Sequence, residues 1–311
     1  MSVFDNQPKT ASMKYVLITP ARNETAFLEQ TIQSVVSQTV KPVRWVIVSD
    51  GSTDGTDEIV QQYAARFAWI ELWRMPERKE RHFAGKVHAF NAGRERLAGV
   101  EYDVIGSLDA DITFDADYCE FLLAKFAENP RLGVAGTPFR EDSREYYRFV
   151  SSDHVSGACQ LFRRSCFDEI GGYQPIKTGG IDLTAVITAR MKGWQTRNFA
   201  EKTSFHHRKQ GSAKYGVLRG AFYDGRADYL LGCDPIWQLF RTIYRLVSAR
   251  PIIVSGTLCL AGFTWAMITR MPHAVPADVV RFRRAEERAR LVGMVKRTLS
   301  GGRLMFSSQQ R

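Results

Sequence analysis

An α/β fold, with a mostly parallel sheet between helices, is what this sequence predicts through its first two thirds; a helical region follows. Three observations predict it. Short β-branched runs alternate with stretches of helical spacing, acidic and turn-forming residues cluster where the runs end, and after Gly211 the strand-like runs stop. Lys14 to Pro20 (KYVLITP) reads as the first strand, after which Leu28, Ile32, Val35 and Val36 recur at helical spacing. VRWVIVS is the second strand and DEIVQQYAARF the second helix, separated by the turn-rich DGSTDGT. WIELW, the helix within KVHAFNAGRERLAG and the strand YDVIGSL complete the alternation. In open parallel sheets ligands bind beyond the carboxyl ends of the strands. Here PARNE follows the first strand, SDGSTDGT the second and LDAD the fourth, so three segments deliver carboxylates and hydroxyls to one rim.

The chain has 311 residues, 44% of them hydrophobic and 24% charged, enough for one large or two ordinary domains with a real core. Its net charge of +10 points to a phosphate-rich partner: a nucleotide, a nucleic acid or an anionic membrane. Cys119, Cys159, Cys166, Cys233 and Cys259 form no zinc spacing and read as buried thiols of a reducing compartment. The start, MSVFDNQPKTAS, lacks the apolar core of a secretory signal, which places the main body in the cytosol.

The stretch SLDADITFDAD holds two Asp-x-Asp pairs. One is expected by chance in a chain with 17 Asp, so context must separate them. Asp115 and Asp117 precede YCEFLLAKF and read as first-turn charges and a helix cap. Asp109 and Asp111 sit where a buried strand leaves the core. No G-x-G-x-x-G turn and no Walker-type loop is present to cradle phosphates. The alternative is a divalent cation, manganese or magnesium, held by Asp109 and Asp111 against a diphosphate.

Six segments in this order, TPARNE, VSDGSTDGT, GKVHAFNAG, LDAD, SGACQLFRRSCFDEIGGY and IDLTAVITARMKGW, resemble the family 2 glycosyltransferases, inverting enzymes of the GT-A fold that use nucleotide-sugar donors. The likeness covers roughly Lys14 to His207. It implies that Pro20, Arg22 and Glu24 form the first nucleotide-contacting loop, that Asp50 with Ser52 faces the uracil ring, and that Lys86 and Asn91 lie over the donor. For DGSTDG a plain turn, and for Lys86 a solvated helix residue, are the competing readings. The resemblance makes Asp111 the direct metal ligand, with Asp109 closer to the ribose or bridging through water. The general base of the family falls on Asp182, eleven residues before Gly193-Trp194; here Ile181 replaces the usual preceding Glu and the usual Arg is displaced to Arg190. A helix N-cap is the competing role for Asp182.

Gly157 and Gln160, in SGACQLFRR, suit an acceptor-lining wall. Of His206 and His207, one (His207 is taken) is a candidate third metal ligand or phosphate contact, against a plain polar loop. HHRKQGSAKYGVLRG is rich in cations and is expected to close over the donor, with Arg208 and Lys209 contributing.

These readings divide the chain into a flexible start (1–13), a GT-A catalytic domain (14–210) and a C-terminal helical region (211–311). In the last, Ile236, Trp237, Phe240, Ile243, Tyr244 and Val247 repeat at three and four residues with Arg241 and Arg245 opposite, as in a membrane-interface helix or a domain-packing one. An apolar segment, 251–269, has 19 residues without charge, just enough to span a bilayer. Both flanks are basic, which favours a re-entrant or interfacial insertion on the cytoplasmic face over a crossing, with a soluble buried helix as the alternative. The expected activity is metal-assisted, inverting transfer from a nucleotide-diphosphate sugar, a UDP-sugar first, to a lipid-linked or polysaccharide acceptor, with no nucleic-acid partner. A sugar nucleotidyltransferase and a non-catalytic polyanion-binding protein are the alternatives.

Overall fold

The computed structural model describes residues 13–77, 84–141, 144–145, 152–208, 217–248 and 254–299. The chain starts with the alternation β1 (Tyr15–Ala21), α1 (Leu28–Val36), β2 (Arg44–Asp50), α2 (Thr56–Ala64), β3 (Ile70–Met75), α3 (Ala84–Glu95) and β4 (Val104–Leu108). There follow β5 (Ile112–Phe114), α4 (Tyr118–Glu128), β6 (Leu132–Gly136), β7 (Phe139–Glu141), β8 (Arg144–Glu145), β9 (Cys159–Arg163), α5 (Arg164–Glu169), α6 (Ile181–Met191), β10 (Gln195–Asn198) and β11 (Ser204–His206). Four helices complete it: α7 (Val217–Leu230), α8 (Pro235–Ser248), α9 (Val254–Ile268) and α10 (Ala277–Leu299).

Seven strands form one sheet in the order β10-β6-β9-β4-β1-β2-β3, parallel throughout except for β9, which runs antiparallel between β4 and β6. A second sheet, β5-β11-β7-β8, covers its rim. The period of two sorts the strand residues onto two faces. Tyr15, Leu17, Trp45 and Ile47 pack under α1, α2 and α4, while Val16, Ile18, Val46 and Val48 pack under α3, α5, α6 and the start of α10. From β1 the chain moves out to β2 and β3, then returns to place β4 on β1's other side. The strand order therefore reverses between β1 and β4, and a crevice opens there.

The C-terminal helices are joined to this body. Val279 and Val280 of α10 belong to the core beneath α6. Arg190 of α6 makes a two-pronged ion pair with Glu286 (2.7 and 2.9 Å), and Arg290 reaches Asp153 at 2.5 Å. The arginines of the basic tail are thus not all solvated: Arg283 is buried, with Nε 2.9 Å from Glu287 Oε1. The expected domain boundary at 210 falls outside the described residues, as do the flexible start up to residue 12, Lys209 and most of the cationic loop, and residues 251–253 of the apolar segment.

Among the described residues no helix is long and apolar enough to cross a membrane. The uncharged segment folds as α9, 15 residues and about 22 Å long, and it lies against α7. A Cβ on Gly225 would run into the carbonyl of Cys259, and one on Gly262 into the carbonyl of Phe222, so only glycine lets the two backbones meet. Gly262→Val should therefore destabilise the protein by about 2 kcal/mol or more, read as a lowered urea midpoint; an unchanged midpoint would show that α7 and α9 do not pack this closely.

Candidate active site

The switch point between β1 and β4 opens into a cavity of about 560 Å³. Pro20, Arg22 and Glu24 enter it from the end of β1, Asp50 from β2, Lys86 from α3, Asp109 and Asp111 from the end of β4, Gly157 from the loop before β9, and Asp182 from α6. Nine of the residues singled out in the sequence therefore meet in one place. Arg208, Tyr173 and Ser107 also line it.

Three cations, Lys86, Arg208 and Arg22, balance the carboxylates. Lys86 pairs directly with Asp109 and also reaches the Gly157 carbonyl at 3.5 Å. Arg208 grips Glu24 through both carboxylate oxygens and lies 3.7 Å from Asp111 Oδ2. Burial pushes Asp109 up, with Lys86 pulling the other way and Asp111 adding to the rise. For Asp111 burial also acts upward, but His206 and Arg208 outweigh it and hold the carboxyl below its ordinary value. Lys86 resists its own desolvation because Asp109 keeps the ammonium charged, above its ordinary value. Arg22 is 3.9 Å from Asp50.

Asp182 occupies the second position of α6, whose N-cap is Gly180 in the left-handed conformation. The N-cap role thus falls to Gly180. The Gly157 amide donates to Asp182 Oδ2 at 3.2 Å, and a Cβ on residue 157 would lie 2.8 Å from that of Asp182. Glycine is needed there for the carboxylate to rest on the backbone.

Four expected residues stand elsewhere. Asn91 is exposed on α3. Five residues on from Lys86 it is turned about 140° away, while Phe90, one turn on, lines the cavity. Gln160 is wholly buried, opposite Ser107 in the β4–β9 pairing; it accepts from the Tyr173 hydroxyl (2.8 Å) and donates to the Val155 carbonyl (2.9 Å), so it supports the wall from behind. Ser52 is buried and accepts from the Asn23 amide at 3.2 Å, shaping the loop after β1. His207 contacts Thr113 Oγ1 at 3.0 Å, whereas His206 faces Asp111 Oδ1 at 3.4 Å and Glu141 Oε1 at 3.1 Å. β11 ends at His206, whose ring faces the carboxylates, while the His207 ring turns to Thr113. Burial lowers the His206 pKa, but Asp111 and Glu141 overcome it and raise it. Glu141 itself carried no local signal; it arrives through the pairing of β7 with β11. Asp117 makes no cap bond and instead takes Lys202 Nζ at 2.7 Å on both oxygens. All five cysteines are buried, and burial raises Cys119 and Cys166 to about 12, so these two thiols are inert at neutral pH.

Carboxylates gathered at a switch point, beside a small second sheet, match the layout of the GT-A fold. The chain belongs to glycosyl transferase family 2, whose pattern matches residues 16–181. The nucleotidyltransferase and polyanion-binder alternatives are thereby set aside. A poly-beta-1,6-N-acetyl-D-glucosamine synthase of Staphylococcus epidermidis is 27% identical over 174 residues, 48% of this chain and 39% of that protein. Glycosyltransferase GlyA of Streptococcus pneumoniae is 26% identical over 211 residues, 65% of this chain and 27% of that one. The chain thus spans less than half the length of these curated relatives. Among solved structures, S. aureus TarS in complex with UDP-GlcNAc superposes with a TM-score of 0.57 at 15% identity, over 90% of this chain and 92% of that one. The mannosyltransferase PcManGT of Pyrobaculum calidifontis, in complex with GDP-Man and Mn2+, gives 0.55 at 18%, over 94% and 84%. At such identities the likeness is one of fold.

The turn after β2 carries a testable electrostatic feature. Slight burial works to raise Asp54, but hydrogen bonds from Thr25 and Thr56 bring it down to about 2. A depressed carboxylate stabilises the fold above its unfolded value of 3.8 and loses that contribution as pH falls from there towards 2. Asp54→Asn should accordingly lower the urea midpoint at pH 6, with the gap from the parent chain narrowing below pH 3; a gap independent of pH would contradict this assignment.

Proposed function

We propose that this chain is an inverting transferase that moves a sugar from a UDP-sugar, with UDP-N-acetylglucosamine first in line, to a hydroxyl of a lipid-linked or polysaccharide acceptor, with Asp182 as general base. The observation that carries the reading is the single cavity shared by the loop after β1, the carboxylate pair after β4 and Asp182. A relative named for poly-beta-1,6-N-acetyl-D-glucosamine synthesis and a fold neighbour with UDP-GlcNAc support the choice of donor.

In this mechanism the diphosphate lies against Asp109, Asp111, Lys86 and Arg208, and Asp50 accepts from the N–H of the uracil edge. Asp182, held by the Gly157 amide, takes the proton of the acceptor hydroxyl. The acceptor oxygen bonds to the anomeric carbon from one face while the bond to the diphosphate oxygen breaks on the other. Lys86 and Arg208 meet the charge that develops on the leaving group.

The donor set fits a hard divalent cation. Among the described residues no group of three or more His, Cys, Asp or Glu could hold a metal by itself. Two rim carboxylates, completed by diphosphate oxygens and water, match how magnesium-type ions are bound together with a phosphate substrate. Asp109 and Asp111, with His206 beside the latter, would hold manganese or magnesium, which would neutralise the departing diphosphate.

Calorimetric titration of UDP should give binding that needs both manganese and Asp111, and that is lost with chelator or in Asp111→Ala; no binding of UDP would overturn the UDP-sugar assignment, and failure of GDP and dTDP as well would overturn the nucleotide-sugar donor. Asp182→Asn should lower kcat by about 10²- to 10⁴-fold and leave UDP affinity unchanged. A kcat within a few-fold of the parent's would remove Asp182 from the role of base.

A further inference from the structure

We infer that the outward face of α8 and α9 is a docking surface for an anionic lipid bilayer. The observation is an inversion of polarity. Along α8 the polar residues turn inward: Gln238 and Thr242 are buried, and Arg241 donates to Asp228 of α7 at 3.0 Å. The apolar residues turn outward, with Ile236 at 61%, Leu239 at 49% and Ile243 at 58% exposure. An amphipathic helix on the surface of a water-soluble body does the opposite.

The neighbouring helix repeats the pattern. α9 carries no charged residue, and its Gly256, Cys259, Gly262 and Phe263 are buried. Its other side shows Val254, Trp265 (56%) and Ile268 (72%). α9 packs closely on α7 through Gly262 and Phe222, and α8 packs on α9, where Gln238 Nε2 reaches Cys259 Sγ at 3.3 Å, with Arg241 tied to Asp228 of α7. Each helix thus turns its apolar row away from the side it buries. Exposed apolar surface of this kind on neighbouring helices marks an interaction site.

Charge decides the occupant. Of the twelve Lys and Arg over 217–248 and 254–299, Arg241, Arg283, Arg288 and Arg290 are taken up by ion pairs within the body, so the exposed arginines carry the argument. Arg270, two residues beyond Ile268, is exposed, as are Arg219 beside Leu218 on α7 and Arg281. A second copy of this chain would bring the same positive sign to the contact, whereas anionic headgroups complement it. Trp265 has the amphipathic ring that settles at headgroup depth. At about 22 Å, α9 is suited to lie in the interface rather than cross it.

The helices carrying this surface are joined to the cavity wall: Gly180, which lines the cavity two residues before Asp182, packs against the buried Leu231, four residues before α8 begins. This deepens the reading of the site, since a lipid-linked acceptor would reach Asp182 from the headgroup plane. The docking itself needs no transferase activity, so failure of either reading leaves the other testable.

The experiment is co-sedimentation of the full chain with vesicles of phosphatidylcholine alone and of phosphatidylcholine with one-third phosphatidylglycerol. Binding is expected to the anionic vesicles, weakened about tenfold by salt and by at least about tenfold in Leu239→Glu/Ile243→Glu. Lipid brominated near the headgroup is expected to quench tryptophan fluorescence in the parent and to quench it less in Trp265→Phe, a variant that keeps the fold. Three results overturn the proposal: no binding to anionic vesicles, equal binding by Leu239→Glu/Ile243→Glu and parent, or quenching unchanged in Trp265→Phe. A self-association lost in Leu239→Glu/Ile243→Glu, with no vesicle binding by the parent, would assign the face to a second copy instead.

Discussion

The balance of charge inside one partly desolvated cavity governs this structure. Glu24, Asp109, Asp111 and Asp182 share the cavity with Lys86 and Arg208, and none of the carboxylates could be withdrawn from water cheaply without such partners. The fold supplies these partners from distant segments. α3 carries Lys86 onto Asp109, and the chain leaving β11 carries Arg208 onto Glu24 and Asp111. The pairing of β11 with β5 sets His206 beside Asp111. The small sheet is therefore an electrostatic component of the site as well as a cover for it. Lys86 and Arg208 are also the groups that a diphosphate would engage, so the resting ion pairs and the proposed donor contacts draw on the same side chains.

Much of this was legible in the sequence because it depends on local rules. The apolar runs that became β1, β2, β3 and β4 stand out by their length and flanks, and their polar ends necessarily share one rim once the strands are parallel. What escaped depends on phase and register. Asn91 was one residue out of phase on a helix. Gln160 sits two residues from a cavity-lining alanine, yet its side chain is claimed by Tyr173 and Val155. Which of His206 and His207 faces Asp111 depends on where β11 ends and how it pairs with β5 and β7, both far from it in sequence. Glu141 reaches the site by long-range pairing alone, and nothing near it in sequence announces that.

The C-terminal region shows the same limit in another form. Helical spacing correctly marked α8 as two-faced, but spacing does not say which face turns inward. Asp228, Arg241, Arg283 and Glu287 settle the matter, because these charges satisfy one another in a packed interior and draw the polar side of α8 into it. The apolar side is left outside as a consequence of that network.

The ion pairs from α10 to Arg190 and Asp153 have a bearing on how the enzyme is partitioned. The family match stops at residue 181, immediately before Asp182, while α10 begins almost a hundred residues later and shares the core beneath α6. A helix that looks appended in sequence is thus a strut: it braces α6, which carries Asp182, and the loop that leads to Gly157, which orients it. The structural unit that holds Asp182 is therefore set by these long-range contacts and not by where sequence similarity ends.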